Sequence, residues 1–380
     1  MKKLLPCLLA LVVLTISKST LADENETRVG PELDTYQKTV ARGIAFLKNK
    51  GQADDGTFTR RAGPGVTFLA VTAMLRHGVS VEDPAVAGTL KYLECLKKPD
   101  GGIHVKQSLY KNYETCLAVM CFKEANQDGR YDELLKNAEK FLKRLQWDDE
   151  EGHEEDSPFH GGGGYGKHNR PDLSNTSFLI EALRNCGTDE NDSAIRKALI
   201  FVSRCQNLES VHNTTPFSAK VNDGGFYYTG AAGGSGETTS NGGLRSYGSM
   251  TYAGLKSLIF AGLKRDDPRV KAAIGWIQKN YGLTSNPGLG DSGLYYYYHT
   301  FAKTLHLLGD DHVVDVTGTP RDWRRDLAEE LFRRQNADGS WVNDNARWLE
   351  SDPNLVTAYA LLTLNYCRPK ITFDSEVSGE

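Results

Sequence analysis

Glu114, Asp172, Asn175 and His299 occupy comparable places in the chain, each at or shortly before a threonine that leads into an apolar run: Glu114-Thr115, Asp172-Leu173-Ser174-Asn175-Thr176 and His299-Thr300. Carboxylates, an amide and an imidazole gathered at helix N-termini can accept protons, donate hydrogen bonds or steady a cation, because the helix dipole favours anionic groups there. Tyrosines accompany them. Tyr113 precedes Glu114, the run Tyr295-Tyr296-Tyr297-Tyr298 precedes His299, and Tyr165, Tyr227 and Tyr228 lie among glycines. Such rings can present their faces to a cation or a sugar. The same residue types also have plainer uses, since Asp-Leu-Ser-Asn is good N-cap chemistry and a histidine on an apolar run can be a satisfied core residue. On these grounds the candidate catalytic residues are Asp172, His299 and Glu114, and the candidate ligand-binding residues are Ser174, Asn175 and Tyr298.

Other chemistries find less support. Six cysteines follow Cys7, namely Cys95, Cys116, Cys121, Cys186, Cys205 and Cys367, and none has the CxxC spacing of a zinc or redox site. Most sit at apolar helical positions and are expected as buried free thiols. Gly161-Gly162-Gly163-Gly164 and the region from Gly230 to Gly243 have no preceding strand and no following Gly-Lys-Ser/Thr, so they read as loop punctuation, not phosphate cradles. A formal net charge of −4 gives no electrostatic footprint for nucleic acid. The segment Arg321-Asp322-Trp323-Arg324-Arg325 alternates cations with acids and reads as a solvated outer helix.

The elements that must position the candidates form a repeat. Aromatic-aliphatic pairs close successive charged helical patterns at Phe46-Leu47, Tyr92-Leu93, Phe141-Leu142, Phe201-Val202 and Trp276-Ile277, with glutamines following at Gln52, Gln146, Gln206 and Gln335. Turns come next: Asp55-Gly56-Thr57-Phe58, Asp100-Gly101-Gly102-Ile103, Asp223-Gly224-Gly225-Phe226 and Asp338-Gly339-Ser340-Trp341. Asp-Gly supplies positive φ, and the residue after it can plug between helices. Second helices then align on Thr67, Thr115, Thr176, Thr251, Thr300 and Thr357, at spacings of about 48 to about 75 residues. These second helices are nearly all apolar, as in Phe178-Leu179-Ile180-Glu181-Ala182-Leu183, and therefore belong to an inner layer. Insertions from Asp148 to His168 and from Val211 to Gly243 should be loops over one rim. The expected fold is all-α, six helical pairs in two layers, either closed into an α6/α6 toroid or left as an open solenoid.

These repeats resemble the superfamily of squalene and hopene cyclases and protein prenyltransferase β-subunits, which share the α/α toroid. The most specific element is Leu331-x-x-x-Gln335-Asn336-Ala337-Asp338-Gly339-Ser340-Trp341, similar to the cyclases' glutamine-tryptophan repeat, with Glu330 in place of the usual aromatic. Hopene-type cyclases carry Asp-x-Asp-Asp-Thr, and the matching segment keeps Asp172 and Thr176 but has Ser174 and Asn175 at the acidic positions. Neither a hydroxyl nor an amide is the strong acid that alkene protonation requires. Prenyltransferases hold zinc with an aspartate, a cysteine and a histidine. Tyr298-His299-Thr300 matches the histidine segment, but Arg245 and Tyr247 stand at the other two positions, and zinc needs at least three protein ligands, so the resemblance implies Tyr247 only as a further candidate ligand-binding residue. No metal or cofactor is expected.

The resemblance implies a toroid that binds or converts an isoprenoid or other apolar ligand in its central cavity, with peripheral membrane contact as a further expectation. If it is an enzyme, the resemblance implies an isomerase or transferase of the terpenoid-cyclase type. The alternatives are a non-catalytic surface toroid binding a protein or small ligand, and an exported enzyme acting on polysaccharide. Met1-Lys2-Lys3, the apolar run to Ile16 and the small residues ending at Ala22 follow the order of a secretory leader, so residues 1–22 are expected to be removed and the protein exported. The toroid is expected over residues 23–367, with a tail at 368–380. The oligomeric state is not legible.

Overall fold

The structure, a computed structural model, describes residues 26–166, 170–230 and 237–373. The expected leader, the end of the tail and His168 lie outside the described residues. Twelve main helices alternate between two layers. The outer ones are α1 (Leu33–Phe46), α3 (Pro84–Glu94), α5 (Asp132–Arg144), α7 (Ser193–Arg204), α10 (Pro268–Lys279) and α12 (Trp323–Arg334). The inner ones are α2 (Gly65–Arg76), α4 (Lys111–Ala125), α6 (Leu173–Asn185), α9 (Gly248–Phe260), α11 (Leu294–Leu308) and α13 (Pro353–Tyr366), and a one-turn α8 (Ser218–Val221) lies in the second long insertion. Each inner helix packs on the next, and α13 returns to α2. The ring is therefore closed, as the resemblance implies, and not an open solenoid. Two short antiparallel pairs complete it: β2 (His312–Val314) with β3 (Pro320–Asp322), and β1 (Glu26–Val29) with β4 (Lys370–Phe373), which joins the two ends of the described chain. No helix among the described residues is long and apolar enough to cross a membrane.

The sequence pattern has a hydrogen-bonding cause. Five of the six aligned threonines present their hydroxyls to the backbone N–H of the residue that ends the preceding turn. Thr67 accepts from Phe58 at 3.0 Å, Thr115 from Ile103 at 3.1 Å, Thr176 from Gly163 at 2.9 Å, Thr251 from Phe226 at 3.1 Å and Thr357 from Trp341 at 3.1 Å. The fifth unit has no Asp-Gly turn, and Thr300 bonds back into its own helix. The glutamines join neighbouring units. The side-chain amide of Gln52 donates to Ala85, that of Gln146 to Ala194, that of Gln206 to Arg269 and that of Gln335 to Thr39, each acceptor being a carbonyl on the next outer helix. Buried amides of this kind stabilise only when both partners are in place. The last of them, from α12 side to α1, is also a ring-closing bond.

Trp341 shows how much one plug contributes. Its indole is fully buried and donates to the Leu331 carbonyl at 2.8 Å. Truncation leaves a cavity between α1 and α13 beside Gly43 and an unpaired carbonyl. Trp341→Ala is expected to lower unfolding free energy by about 3–5 kcal/mol, measured by urea denaturation.

Two local expectations are corrected. The segment at the start of α12 is not solvated throughout, because the β2–β3 hairpin folds over it. Trp323 and Arg324 are buried, the Arg324 guanidinium lies 4.2 Å from the Trp323 ring centroid, and it pairs with Asp311 at 2.6 Å. All six described cysteines are free thiols, but Cys95, at the end of an outer helix, is exposed.

Candidate functional site

All six segments that run from an outer helix to the next inner helix meet at one rim, so the inner-helix N-termini open there. Backbone strain concentrates on the same rim. Among the described residues, the non-glycine residues with positive φ, Thr59, Gln107, Asn222, Trp348 and Leu349, all belong to these segments. Bulky side chains rarely adopt that conformation, and it persists where surrounding structure enforces it.

Asp172 is the N-cap of α6. It is fully buried, and its carboxylate accepts from the Asn175 backbone N–H at 2.9 Å and the Asn175 amide at 2.8 Å. Burial pushes its carboxyl up to about 6, opposed by the bonds from Asn175 and from the Tyr228 hydroxyl. Ser174 shares a 2.9 Å hydrogen bond with the Tyr296 hydroxyl from across the ring. Glu114 turns to the segment before its own helix, accepting from the Val105 N–H at 3.0 Å and the Ser108 hydroxyl at 2.8 Å. Burial raises its carboxyl too, against those two bonds. Tyr247 is the buried N-cap residue of α9, and the Tyr298 hydroxyl points outward to Leu283 and Glu330.

The expected convergence of four polar groups therefore does not form as a single cluster. Asp172 and Asn175 bond to each other, Glu114 serves its own loop, and His299 lies more than one helical turn inside α11. Its ring stands 5.8 Å from Tyr359 and 6.2 Å from Tyr366, and its Nδ1 is buried without a partner. Threonine register fixes position along the ring axis but not the direction in which each side chain points.

The structure places an aromatic layer across the bore instead. Tyr165 and Tyr113 have centroids 6.1 Å apart, Tyr113 and Phe178 5.5 Å, Phe178 and Tyr296 6.2 Å, and Tyr296 and Tyr359 6.1 Å. Tyr113, Tyr165 and Tyr296 are half-buried, so the layer keeps a solvent-facing side. Below it lies a charged core missing from the sequence reading. Glu181 of α6 pairs with Lys256 of α9 at 2.6 Å and with Lys303 of α11, and all three are buried. Burial opposes ionisation of Glu181, yet Lys256 and Lys303 hold its carboxyl far below the usual range. Burial pushes the Lys256 ammonium down, against the pull of Glu181. Arg76 of α2 pairs with Glu124 at 2.7 Å and donates to the Tyr366 hydroxyl at 2.9 Å. Beside this core is a void of about 10 Å³, which admits about one water molecule. The clue in the sequence was a charge within an otherwise apolar run: Glu181, Lys256 and Lys303 each interrupt an inner helix.

The zinc chemistry of the resembling prenyltransferases does not fit these residues. Arg245 pairs with Glu237 at 2.8 Å, and among the described residues the one group of three close candidate ligands is Asp148, Glu150 and Glu151 in the first insertion, far in sequence from His299.

Asp172 provides a test of this electrostatic picture. Its carboxyl is expected to titrate in the folded protein near 6, against an ordinary value of 3.8. A folded value above the unfolded one means the folded state holds the proton more tightly, so this residue's contribution to stability improves as pH falls from about 6 towards 3.8. Carboxyl-carbon NMR titration, with the resonance assigned by its loss in Asp172→Asn, checks the value.

No family model matches the chain, and no curated protein matches it. Solved structures do. The type II terpene cyclase MstE from Scytonema is 14% identical, with 88% of this chain and 98% of that chain covered and a TM-score of 0.52. The GH76A α-1,6-mannanase from Salegentibacter is 11% identical, with 87% and 98% covered and a TM-score of 0.53. A possible member of the GH105 family from Salmonella enterica is 11% identical, with 88% and 93% covered and a TM-score of 0.51. The chain thus has the α/α-toroid fold that a terpene cyclase and carbohydrate-acting proteins share.

Proposed function

We propose that the protein is an exported, ligand-binding toroid that holds an isoprenoid-like apolar group against the tyrosine layer at its mouth and does not convert it. The observation that carries this reading is the layer itself. Aromatic rings give large apolar contact at little conformational cost. The Tyr296 hydroxyl is already bonded to Ser174, so an apolar group can cover it without stranding a donor. Support for an isoprenoid comes from the cyclase-type repeat and from the neighbour MstE, one form of which is bound to geranylgeranyl dihydroxybenzoate. Export rests on the order of residues 1–22.

Among the described residues, the bonding of the rim carboxyls favours binding over conversion. Glu114, Asp172 and Glu350 all accept backbone N–H bonds, Glu350 from Tyr295 and Tyr296 at the start of α11. Glycoside hydrolysis asks for two available carboxyls about 5–9.5 Å apart, and these groups are committed to capping. A position at the layer is supported by the small void beside Phe178 and His299, which at about 10 Å³ is too small for a prenyl chain.

Titration of the purified protein with geranylgeraniol and with a mannooligosaccharide, followed by tyrosine fluorescence and by mass spectrometry of the recovered ligand, tests the proposal. The prenyl alcohol is expected to bind and be recovered unchanged, with Tyr296→Ala weakening it by about tenfold. Recovery of a rearranged product, or binding of the oligosaccharide alone, would overturn it.

A further inference from the structure

The two long insertions share a product that the ring itself does not need. Between them, beside the C-terminal end of α7, lies a cavity of about 250 Å³. Phe201 and Cys205, both buried, form its floor, and half-buried Phe217 forms a wall. The exposed Pro158 and Pro216, one from each insertion, form its lip, and Arg204 and Thr215 are its polar lining. Arg204 ties the insertions together: its Nε donates to the His212 carbonyl at 3.1 Å, its Nη1 to the Ser157 carbonyl at 2.8 Å and its Nη2 to the Glu155 carbonyl. The buried Asn213 amide fastens the second insertion to the Gln206 and Leu208 carbonyls at 2.7 and 2.9 Å, and the Thr215 hydroxyl donates to Asn213. Bonds and proline rings thus hold the walls apart, and the space is pre-formed. Its size suits one ring, since a fixed apolar cavity of about 150 Å³ already takes benzene. Its polarity narrows the occupant further. Each terminal guanidinium nitrogen carries a pair of N–H groups, so each keeps one donor beyond these bonds. The described lining holds no carboxylate to meet a cation, and Glu155 and Asp156 close to Arg204 disfavour an anion. Burial, and then Asp172, push the Cys205 thiol up, which keeps it an uncharged part of the floor.

We propose that this cavity binds one neutral, ring-sized apolar molecule bearing a single acceptor oxygen, of the aryl ketone class, with its ring against Phe201, Cys205 and Phe217 and its oxygen on a free N–H of Arg204. The site is built from the insertions and α7, apart from the tyrosine layer, and it does not depend on what that layer binds.

The test follows thermal unfolding of the whole protein with acetophenone, ethylbenzene, benzoate and benzylamine, which are similar in size and differ in polarity. Acetophenone is expected to raise Tm saturably, ethylbenzene to raise it less, and the two ions to leave it unchanged. Crystals soaked in 4-bromoacetophenone should show an anomalous peak between Phe201 and Phe217. Cys205→Leu, which fills the floor, should weaken acetophenone binding by about tenfold and leave geranylgeraniol binding as it is in the wild type. If that variant does not fold, the wild-type melts and the soaked crystals still decide. No saturable rise with acetophenone, an equal or larger rise with any of the other three, or bromine found only outside the cavity would sink the proposal. A loss of geranylgeraniol binding in folded Cys205→Leu would do the same, because the two ligands would then share one site.

Discussion

Glu181→Gln is expected to remove about 3–5 kcal/mol of stability, measured by urea denaturation near neutral pH, and so to leave the protein marginal or unfolded. The substitution is nearly isosteric, so little of the loss comes from packing. What it does is strand Lys256 and Lys303, both buried, without a carboxylate. The pH dependence separates this cause from a packing defect. The folded carboxyl of Glu181 lies below its ordinary value of 4.5, so its contribution is complete above that pH and is lost as pH falls further. The gap between wild type and variant should therefore narrow in acid. Lys256 has its folded value below the ordinary 10.5, so the variant should gain stability as pH rises and the ammonium gives up its proton. Replacing Glu181, Lys256 and Lys303 together by apolar residues of similar volume is expected to recover much of the loss, because no charge is then left buried.

Gly161→Ala is the second large effect. Gly161 has φ +80°, and a Cβ there would lie 1.8 Å from the Lys197 carbonyl oxygen on α7. The neighbour is backbone, so no side-chain rotation relieves the clash. Left-handed strain and overpacking together are expected to cost about 2–6 kcal/mol. Circular dichroism melts of Gly161→Ala beside Gly282→Ala check it, since Gly282 has no positive φ and a Cβ there would meet nothing within 4 Å. Equal melts for the two would place the effect elsewhere.

Gly161 also shows what a sequence can and cannot disclose. Its neighbourhood reads as loop punctuation because four glycines in a row lack the Asp-Gly signature. In space it is the third unit's turn glycine: Gly56, Gly101, Gly224 and Gly339 also have positive φ and lie against Thr89, Asn137, Ala272 and Arg42 of the next outer helix. The layers were legible because they rest on periodicity and on the threonine hydroxyl, which leave marks at fixed spacing, whereas closure was implied by the resemblance to toroids and not by the repeats themselves. The site was less so. Asp172 at an N-cap could be foreseen from residue type, but its bonding to Asn175 and the turning of Glu114 towards Ser108 depend on side-chain direction. The pairing of Glu181 with Lys256 and Lys303 joins residues 75 and 122 positions apart, which no local pattern records.

The bond from Gln335 to Thr39 gives the array a property that linear helical repeats lack. In a linear array the terminal repeats have one neighbour each, fray first and let unfolding travel inward. Here the first and sixth units are neighbours, so every unit is flanked on both sides and there is no terminal repeat from which fraying can begin. The loss of any one interface converts the ring to an open array with two such ends. Unfolding should therefore be more nearly all-or-none than the repeat count suggests, with the β1–β4 pair acting as the clasp that holds the seam between the first and sixth units shut.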